Sequence, residues 1–284
     1  MSAPRIVKHS TGIRNESGEL IVCDIRLDPG AGRTPIVVIC HSFMAFKDWG
    51  FFPHAAERIA EEGFMSVSFN FSRNGVPPGG DRIADFDAFA SNSFSREIGD
   101  LGCVVRSVRD GGLCGERGDA GRIVLLGHSR GGGVAATFAS RDPQIAALAT
   151  WSAIATFDRW TAHQKEGWRK TGFLPLWGSA GVSPLRIGHE TLDDLDRRLA
   201  EIDPVLRAPY ITIPWMILHG KADVTVPVRE AEALARAAGT GRTRLLLLDS
   251  VGHLYNARSE EEDNYMTLNH VVSLTLEWLR GVIQ

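Results

Sequence analysis

Runs rich in apolar residues alternate with amphipathic stretches along most of this chain. These runs predict strands at 35–40, 64–71, 122–126, 144–150, 211–218 and 244–248, and the run 35–40 is continuous. A run without polar alternation is typical of a strand buried on both faces, as in a parallel sheet. Apolar residues at helical spacing predict helices at 49–62, 94–110, 227–238 and from about 261 to 282. This order predicts an α/β fold with a mostly parallel, doubly wound sheet.

The sequence indicates a hairpin at the N-terminus and an irregular strand around Pro214. Residues 5–9 and 19–27 have strand character on either side of a polar turn, which predicts an antiparallel hairpin leading into the sheet. Pro214 falls inside the predicted strand 211–218 and cannot donate a ladder hydrogen bond. It therefore indicates a kink, or a position at the edge of the sheet.

The segment 151–209 interrupts the alternation of strands and helices. It contains no convincing strand and several short helical stretches, of which 190–202 is the clearest. We interpret it as a helical lid over the carboxyl ends of the strands, inserted into a core domain formed by residues 1–150 and 210–284. Its first half holds four of the seven tryptophans, which either line a substrate pocket or form the lid's own small core: Trp151, Trp160, Trp168 and Trp177.

Composition and charge give no indication of a nucleic-acid or membrane partner. The 31 basic and 34 acidic residues are spread along the chain, so charge gives no argument for nucleic acid or an anionic membrane as a partner. No apolar run approaches the roughly 18 residues that cross a bilayer, and the N-terminal stretch lacks the apolar core of a secretory signal. The four cysteines show no metal-binding spacing, and three of them lie in predicted strands or helices, where buried free thiols are expected. We expect a cytoplasmic protein.

The pentapeptide Gly-His-Ser-Arg-Gly at 127–131 lies between a predicted strand and a run of small residues that predicts a helix. G-x-S-x-G in this context is typical of a nucleophile elbow, a sharp turn that presents a serine hydroxyl at the end of a sheet. In a chain with 30 glycines the same letters could form an ordinary tight turn. The flanking strand and helix favour Ser129 as a nucleophile, and the first amides of the helix would stabilise negative charge beside it.

Polar residues that could complete such a site follow other strands of the predicted sheet. Ligands of open α/β sheets bind at the carboxyl ends of the strands, and Asp223 and His253 each come shortly after one. Asp249 also ends a strand and is a rival acid. It precedes His253 by only four residues, so we expect local backbone capping there and prefer Asp223. The order Ser, Asp, His is that of α/β-hydrolases.

Five stretches carry a family resemblance: HSFMAFKDWGFFPHAAERIAEEGF, FNFSRNGV, GHSRGG, HGKADVTVP and VGHLYN. Together they resemble the α/β-hydrolase superfamily over nearly the whole chain, and within it the esterase and dienelactone-hydrolase-like branch that includes cinnamoyl and feruloyl esterases. The resemblance implies a serine hydrolase of carboxylic esters, with Ser129 as nucleophile, Asp223 as acid and His253 as base. It also implies an oxyanion hole built from the backbone amides of Phe43 and Arg130. No metal or organic cofactor is expected, and the expected partner is a small ester substrate.

Two positions depart from the family pattern. Ser42 stands where glycine usually follows the histidine of the oxyanion loop, so its hydroxyl could narrow the hole or donate a hydrogen bond into it. Ser129 stands where dienelactone hydrolases proper carry cysteine, which favours ordinary ester chemistry. A thioesterase or peptidase-like acyl hydrolase is an alternative, as is a binding protein without turnover. The sequence determines neither the acyl and alcohol groups nor the oligomeric state.

Three other histidines end strands, and we expect structural roles for them. His41 is expected to shape the oxyanion loop, and His128 and His219, each beside a glycine, are expected to pack or to make structural hydrogen bonds.

Overall fold

The computed structural model describes residues 6–178, 181–239, 241–257 and 265–283, without the side chains of 177, 178 and 181–184. The strands of the main sheet are β1 (Val7–Arg14), β2 (Leu20–Leu27), β3 (Thr34–Cys40), β4 (Met65–Phe69), β5 (Gly118–His128), β6 (Ala147–Trp151), β9 (Trp215–Gly220) and β10 (Thr243–Leu248). A second sheet contains β7 (Phe173–Gly178) and β8 (Gly181–Gly188). The helices are α1 (Phe52–Glu61), α2 (Phe86–Ala90), α3 (Phe94–Arg109), α4 (Arg130–Ala139), α5 (Ala162–Thr171), α6 (His189–Ile202), α7 (Pro204–Arg207), α8 (Arg229–Ala238) and α9 (Met266–Val282).

The main sheet has the order β1-β2-β4-β3-β5-β6-β9-β10. β2 pairs antiparallel with β1 and with β4, and every other neighbouring pair is parallel. The N-terminal hairpin and the mostly parallel α/β sheet predicted from the sequence are thus confirmed.

The apolar runs of the central strands are explained by two core layers. In β3, Ile36 and Val38 belong to the core shared with α3, α4 and α8, whereas Val37 and Ile39 belong to the core shared with α1 and α9. Successive side chains of a strand point to opposite faces. Because helices cover both faces of this sheet, the buried positions of β3 are apolar on both sides.

The strand near Pro214 starts later in the chain than the sequence predicted, and the last helix is described only from Met266. Pro214 does not lie in a strand: β9 begins at Trp215 and lies between β6 and β10, so the predicted kink or edge position is wrong. The carbonyl of Pro214 still accepts a hydrogen bond from the amide of Leu148 (2.9 Å), a bond that needs no donor from proline. The predicted start of the last helix, near residue 261, lies outside the described residues, and the helix is described from Met266.

The segment between β6 and β9, residues 152–214, is called the insertion below. The sequence predicted no strand here, but β7 and β8 form an antiparallel hairpin. The period-2 pattern was hidden because β7 contains Pro175 at a register shift and β8 begins and ends with glycine. The predicted helix 190–202 is present as α6.

The insertion is fixed to the core domain by polar contacts with the beginning of α3. Asp194 of α6 accepts hydrogen bonds from the amide (2.7 Å) and the hydroxyl (2.8 Å) of Ser95. The hydroxyl of Thr191 donates to the carbonyl of Asn92 (2.9 Å). A carboxylate at a helix N-terminus satisfies free backbone amides and is favoured by the helix dipole. The role of the insertion as a lid stays a prediction.

All four cysteines are unpaired and buried, which the sequence predicted for three of them. Burial raises the pKa of the Cys23 and Cys114 thiols to about 12, so they are inert thiols of the core. Among the described residues, no helix is both long and apolar enough to span a membrane.

Candidate active site

Ser129 occupies the turn between β5 and α4 with φ 55° and ψ −120°, a backbone conformation that is unfavourable for any residue with a side chain. Hydrogen bonds hold the turn in place. The Ser129 amide donates to the carbonyl of Trp151 (2.9 Å), and the Ser129 carbonyl accepts from the amides of Gly132 (3.0 Å) and Ile154 (3.2 Å). The structure thus has the sharp strand-to-helix turn that the G-x-S-x-G pattern predicted.

Gly131 allows the first turn of α4 to lie against the end of β3. A β-carbon at this position would clash with the carbonyl oxygens of Cys40 and His41. The close approach brings the Arg130 amide, at the start of α4, next to the loop that carries Phe43. In the described part of the chain neither amide donates a hydrogen bond to another protein atom. Two free amides beside an elbow serine are the elements of an oxyanion hole.

His41 shapes the loop that carries Phe43. Its Nδ1–H donates to the carbonyl of Ser42 (2.9 Å), and its Nε2 accepts from the amide of Phe71 (3.2 Å). Burial, together with the nearby Arg130 cation, lowers the pKa of His41 to about 4 despite the opposing effect of the hydrogen bond to Ser42. A neutral imidazole with this tautomer supports the loop on both sides.

Asp223 and His253 are joined by a hydrogen bond of 2.7 Å from Nδ1–H of His253 to Oδ2 of Asp223. The second oxygen of Asp223, Oδ1, accepts from the amides of Thr225 (2.9 Å) and Val226 (2.8 Å). The carboxylate therefore has a fixed orientation. Because Nδ1 carries the proton, Nε2 is the basic nitrogen of the neutral His253 ring.

The environment of Asp223 keeps this carboxylate ionised. Burial alone would raise its pKa, but hydrogen bonds from His219, His253 and the Val226 amide hold the pKa well below its usual range. His219 is fully buried, and its Nε2–H donates to the carbonyl of Val226 (2.8 Å) while lying 3.4 Å from Oδ2 of Asp223. His219 thus has the structural role expected from the sequence, and it also helps to keep the Asp223 carboxylate ionised.

The loops that carry Asp223 and His253 pack directly against each other. A β-carbon at Gly220 would clash with the carbonyl of Val251, and that carbonyl accepts a hydrogen bond from the amide of Ala222 (3.0 Å). Asp249, the rival acid, has an 82% exposed side chain and is paired with Lys221 (2.7 Å). The geometry therefore joins His253 to Asp223 and leaves Asp249 in solvent.

His128, which precedes Ser129, connects the turn at Ser129 to the loop that carries His253, called the histidine loop below. Nε2–H of His128 donates to the carbonyl of His253 (2.9 Å), and the two rings lie 4.7 Å apart. Burial, with the nearby His253, lowers the pKa of His128 to about 3, so this ring is neutral. Among the hydrogen bonds of the described residues, none joins Ser129 Oγ to His253. Such catalytic hydrogen bonds are often long without substrate.

Solved structures of other proteins have the same fold as this chain. The α/β hydrolase GrgF from Penicillium sp. sh18 is similar to 98% of this chain over 99% of its own, with a TM-score of 0.77 and 15% identity. The chain has the α/β-hydrolase fold. The esterase domain of a Rhodothermus marinus protein matches 98% of this chain over 100% of its own (TM-score 0.65, 19% identity). A putative dienelactone hydrolase from Klebsiella pneumoniae matches 97% over 99% (0.64, 18%). No protein-family model and no curated protein sequence matches the chain.

On this α/β-hydrolase fold the four tryptophans of the predicted pocket have different surroundings. Trp151 is the last residue of β6, is 2% exposed and donates from Nε1 to Thr275 of α9 (3.0 Å), so it belongs to the sheet core. This position does not fit the substrate-binding role predicted for it. Trp168 is buried in the insertion and packs edge-on against the half-buried Trp160 (5.3 Å between ring centroids). The side chain of Trp177 lies outside the described residues.

A cavity of about 520 Å³ next to the histidine loop was missed in the sequence reasoning. Apolar side chains make up most of its lining: Phe46, Trp49, Phe51, Leu254, Ala257 and Tyr265, with Asp48 and Asp81 beside them. Leu254 is the residue after His253, and the Phe51 ring lies 5.1 Å from that of His128. The signal in the sequence was the aromatic-rich stretch 43–52, of which only the oxyanion loop was given a function.

Metal binding has no candidate site in the part of the chain that the structure describes. No three His, Cys, Asp or Glu side chains are grouped there so that they could hold a metal ion. Ser129, His253 and Asp223 are residue types that can act as a nucleophile, a base and an acid.

Proposed function

We propose that this chain is a serine hydrolase that cleaves carboxylic esters through an acyl-enzyme. The observation that supports the proposal most is the hydrogen bond between His253 Nδ1 and Asp223 Oδ2, in a loop bonded to the residue that precedes the elbow serine. A serine hydroxyl is a weak nucleophile unless a positioned base accepts its proton, and a neutral imidazole oriented by a carboxylate is suited to that near neutral pH.

In the proposed reaction, His253 Nε2 takes the proton of Ser129 as Oγ attacks the ester carbonyl carbon. The carbonyl π pair moves to oxygen, where the amides of Phe43 and Arg130 stabilise the oxyanion. When the oxyanion collapses, the bond to the alcohol oxygen breaks and His253 returns the proton to that oxygen. Water then attacks the acyl-enzyme with the same base, which releases the acid and regenerates Ser129.

The alternatives differ in substrate or in the presence of turnover. A thioesterase or peptidase-like acyl hydrolase would use the same three residues with another leaving group. A binding protein without turnover would not need the ionised Asp223 or its bond to His253. The names of two similar structures, an esterase domain and a putative dienelactone hydrolase, favour an ester substrate.

A fluorophosphonate probe followed by peptide mapping tests the nucleophile. We expect covalent labelling of Ser129, and Ser129→Ala should lose both labelling and hydrolysis of p-nitrophenyl esters. Ser152→Ala is a matched control, because Ser152 also follows a strand with a positive φ (46°) and its Oγ is held by Tyr255 (3.1 Å). Undiminished labelling of Ser129→Ala would contradict the proposal. Parallel assays with acyl-CoA and peptide substrates distinguish ester hydrolysis from its alternatives.

A further inference from the structure

The side chain of Arg130 forms a buried ion pair beside the elbow. Arg130 is 6% exposed, and its Nε–H donates to Oε2 of Glu97 (2.8 Å), which is 4% exposed. The other oxygen of Glu97 accepts from Nδ2 of Asn92 (2.7 Å). Glu97 lies in the first turn of α3, where the helix dipole favours a carboxylate. The proposed reaction uses only the backbone amide of Arg130, so its steps do not account for this side-chain pair.

The Arg130 guanidinium lies between two aromatic rings. Its central carbon is 4.3 Å from the ring centroid of Phe94 and 5.0 Å from that of Phe43. Phe43 also packs against Phe89, at 5.6 Å between centroids. Flat stacking on an aromatic face is a property of guanidinium that an ammonium does not share. One side chain therefore connects α3 to the loop whose amide the proposed oxyanion hole requires.

A buried charged pair is weak evidence for a contribution to stability. Nη2 of Arg130 is buried and has no hydrogen-bond partner among the described residues, and an unpaired buried donor is destabilising. Replacing a buried ion pair by apolar residues of similar volume is often neutral or stabilising. The cation also contributes to the low pKa of His41, whose neutral ring supports the same loop.

We propose that Arg130 and Glu97 are a pair of positioning residues for the oxyanion hole. Glu97 fixes the guanidinium, the guanidinium fixes the ring of Phe43, and the Phe43 amide is thereby aimed at the developing oxyanion. The role of the pair in catalysis depends on the proposed ester hydrolysis, whereas its hold on the loop does not. In this arrangement Arg130 has two roles. Its backbone amide is one donor of the oxyanion hole, and its side chain positions the other donor, the amide of Phe43.

The double variant Arg130→Met/Glu97→Gln tests the pair without leaving a buried charge alone. We expect kcat for p-nitrophenyl acetate to fall at least about 10-fold, while KM changes less than about 3-fold, because the contact acts on the transition state. Rates are normalised to active sites titrated with a fluorophosphonate. The inhibition constant of a trifluoromethyl ketone, whose adduct carries an oxyanion, should rise by about the same factor. Arg130→Lys, which keeps the charge but cannot stack in the same way, should recover only part of the loss.

A control variant and a second measurement separate positioning from stability. Ile98→Val removes one methyl from a core residue of the same helix whose side chain takes no part in the ion pair, and should lower stability with kcat unchanged. Hydrogen exchange of the peptide that contains Phe43 should become at least about 10-fold faster in the double variant but not in Ile98→Val. If both kcat and exchange match wild type, the pair has no positioning role.

The exchange measurement also tests the positioning role independently of the proposed ester hydrolysis. A wild-type protein that hydrolyses no ester would overturn the function, and exchange would still report whether the pair holds the loop. A fall in kcat of the same size in Ile98→Val would show that loss of stability alone explains the effect, which would overturn the positioning role.

Discussion

Replacing Asp223 by asparagine removes the charge of the acid while keeping its shape. The amide oxygen of the introduced side chain would still accept from the amides of Thr225 and Val226, so the loop should keep its conformation. Its NH₂ group would then face His253 Nδ1, at the position of the present 2.7 Å hydrogen bond. A donor there favours the tautomer with the proton on Nε2, which cannot accept the proton of Ser129.

The size of the effect follows from the same geometry. The negative charge of Asp223 stabilises the imidazolium of His253, and two unit charges about 4 Å apart interact by about 4 kcal/mol at an effective dielectric constant of about 20. The unfavourable tautomer adds to this loss. A total near 5.5 kcal/mol corresponds to about four orders of magnitude in kcat, which is the loss known for this substitution in serine protease triads.

Asp249→Asn is the control for this experiment. Its side chain is exposed and paired only with Lys221 among the contacts described, so we expect kcat within about twofold of wild type and a stability change of less than about 1 kcal/mol. Both variants are measured with p-nitrophenyl acetate at saturating concentration, with circular dichroism to verify folding. A well-folded Asp223→Asn that keeps more than a tenth of kcat would refute the reasoning. Equal losses in both variants would do the same.

Three further outcomes test other parts of the site. Ser42→Gly should change kcat by less than about threefold, because the loop uses the Ser42 carbonyl, which accepts from His41; a hundredfold loss would instead implicate the hydroxyl. The apolar cavity beside Leu254 is where we expect a bulky aryl group of the ester to bind, so Trp49→Ala should lower kcat/KM for bulky aryl esters by roughly 5- to 150-fold with little effect on acetate esters. Trp168 is buried in the insertion, so Trp168→Ala should cost about 3–5 kcal/mol of stability and impair all esters alike. The reverse pattern would place the substrate in the insertion. Because burial holds the pKa of His41 at about 4 and of His128 at about 3, below the roughly 6.5 of an unfolded histidine, their contribution to stability is complete above pH 6.5 and lost as pH falls towards those values. Urea unfolding between pH 7 and 4 should therefore show a weaker pH dependence in His128→Gln than in wild type, and parallel curves would contradict this account.

The sequence was most informative where one physical constraint dominates. The all-apolar run of β3 predicted a strand covered on both faces, and helices on both sides of the sheet account for it. The elbow pattern predicted the turn at Ser129, because few sequences permit that backbone. The choice of Asp223 over Asp249 came from spacing along the chain, and the hydrogen bond of Asp223 to His253 agrees with it.

Sequence reasoning failed where tertiary contacts decide. Closeness in the chain suggested that the four tryptophans act together. Trp151 instead ends a core strand, and its indole donates a hydrogen bond to Thr275 of α9, 124 residues further along the chain. The hairpin of β7 and β8 escaped notice because Pro175 interrupts its alternation. The pairing of Arg130 with Glu97 joins residues 33 positions apart, and no local pattern indicates such a contact.

The two ends of the insertion leave from and return to neighbouring strands, since Leu148 of β6 pairs with Trp215 of β9. The sheet itself therefore brings these ends together, and the length of chain between them hardly changes the entropy of closing the loop. A segment of different size and sequence could be grafted at this junction without disturbing the order of the strands. The graft would need a carboxylate to take the place of Asp194 at Ser95, because the Ser95 amide in the first turn of α3 would otherwise lose its hydrogen-bond partner.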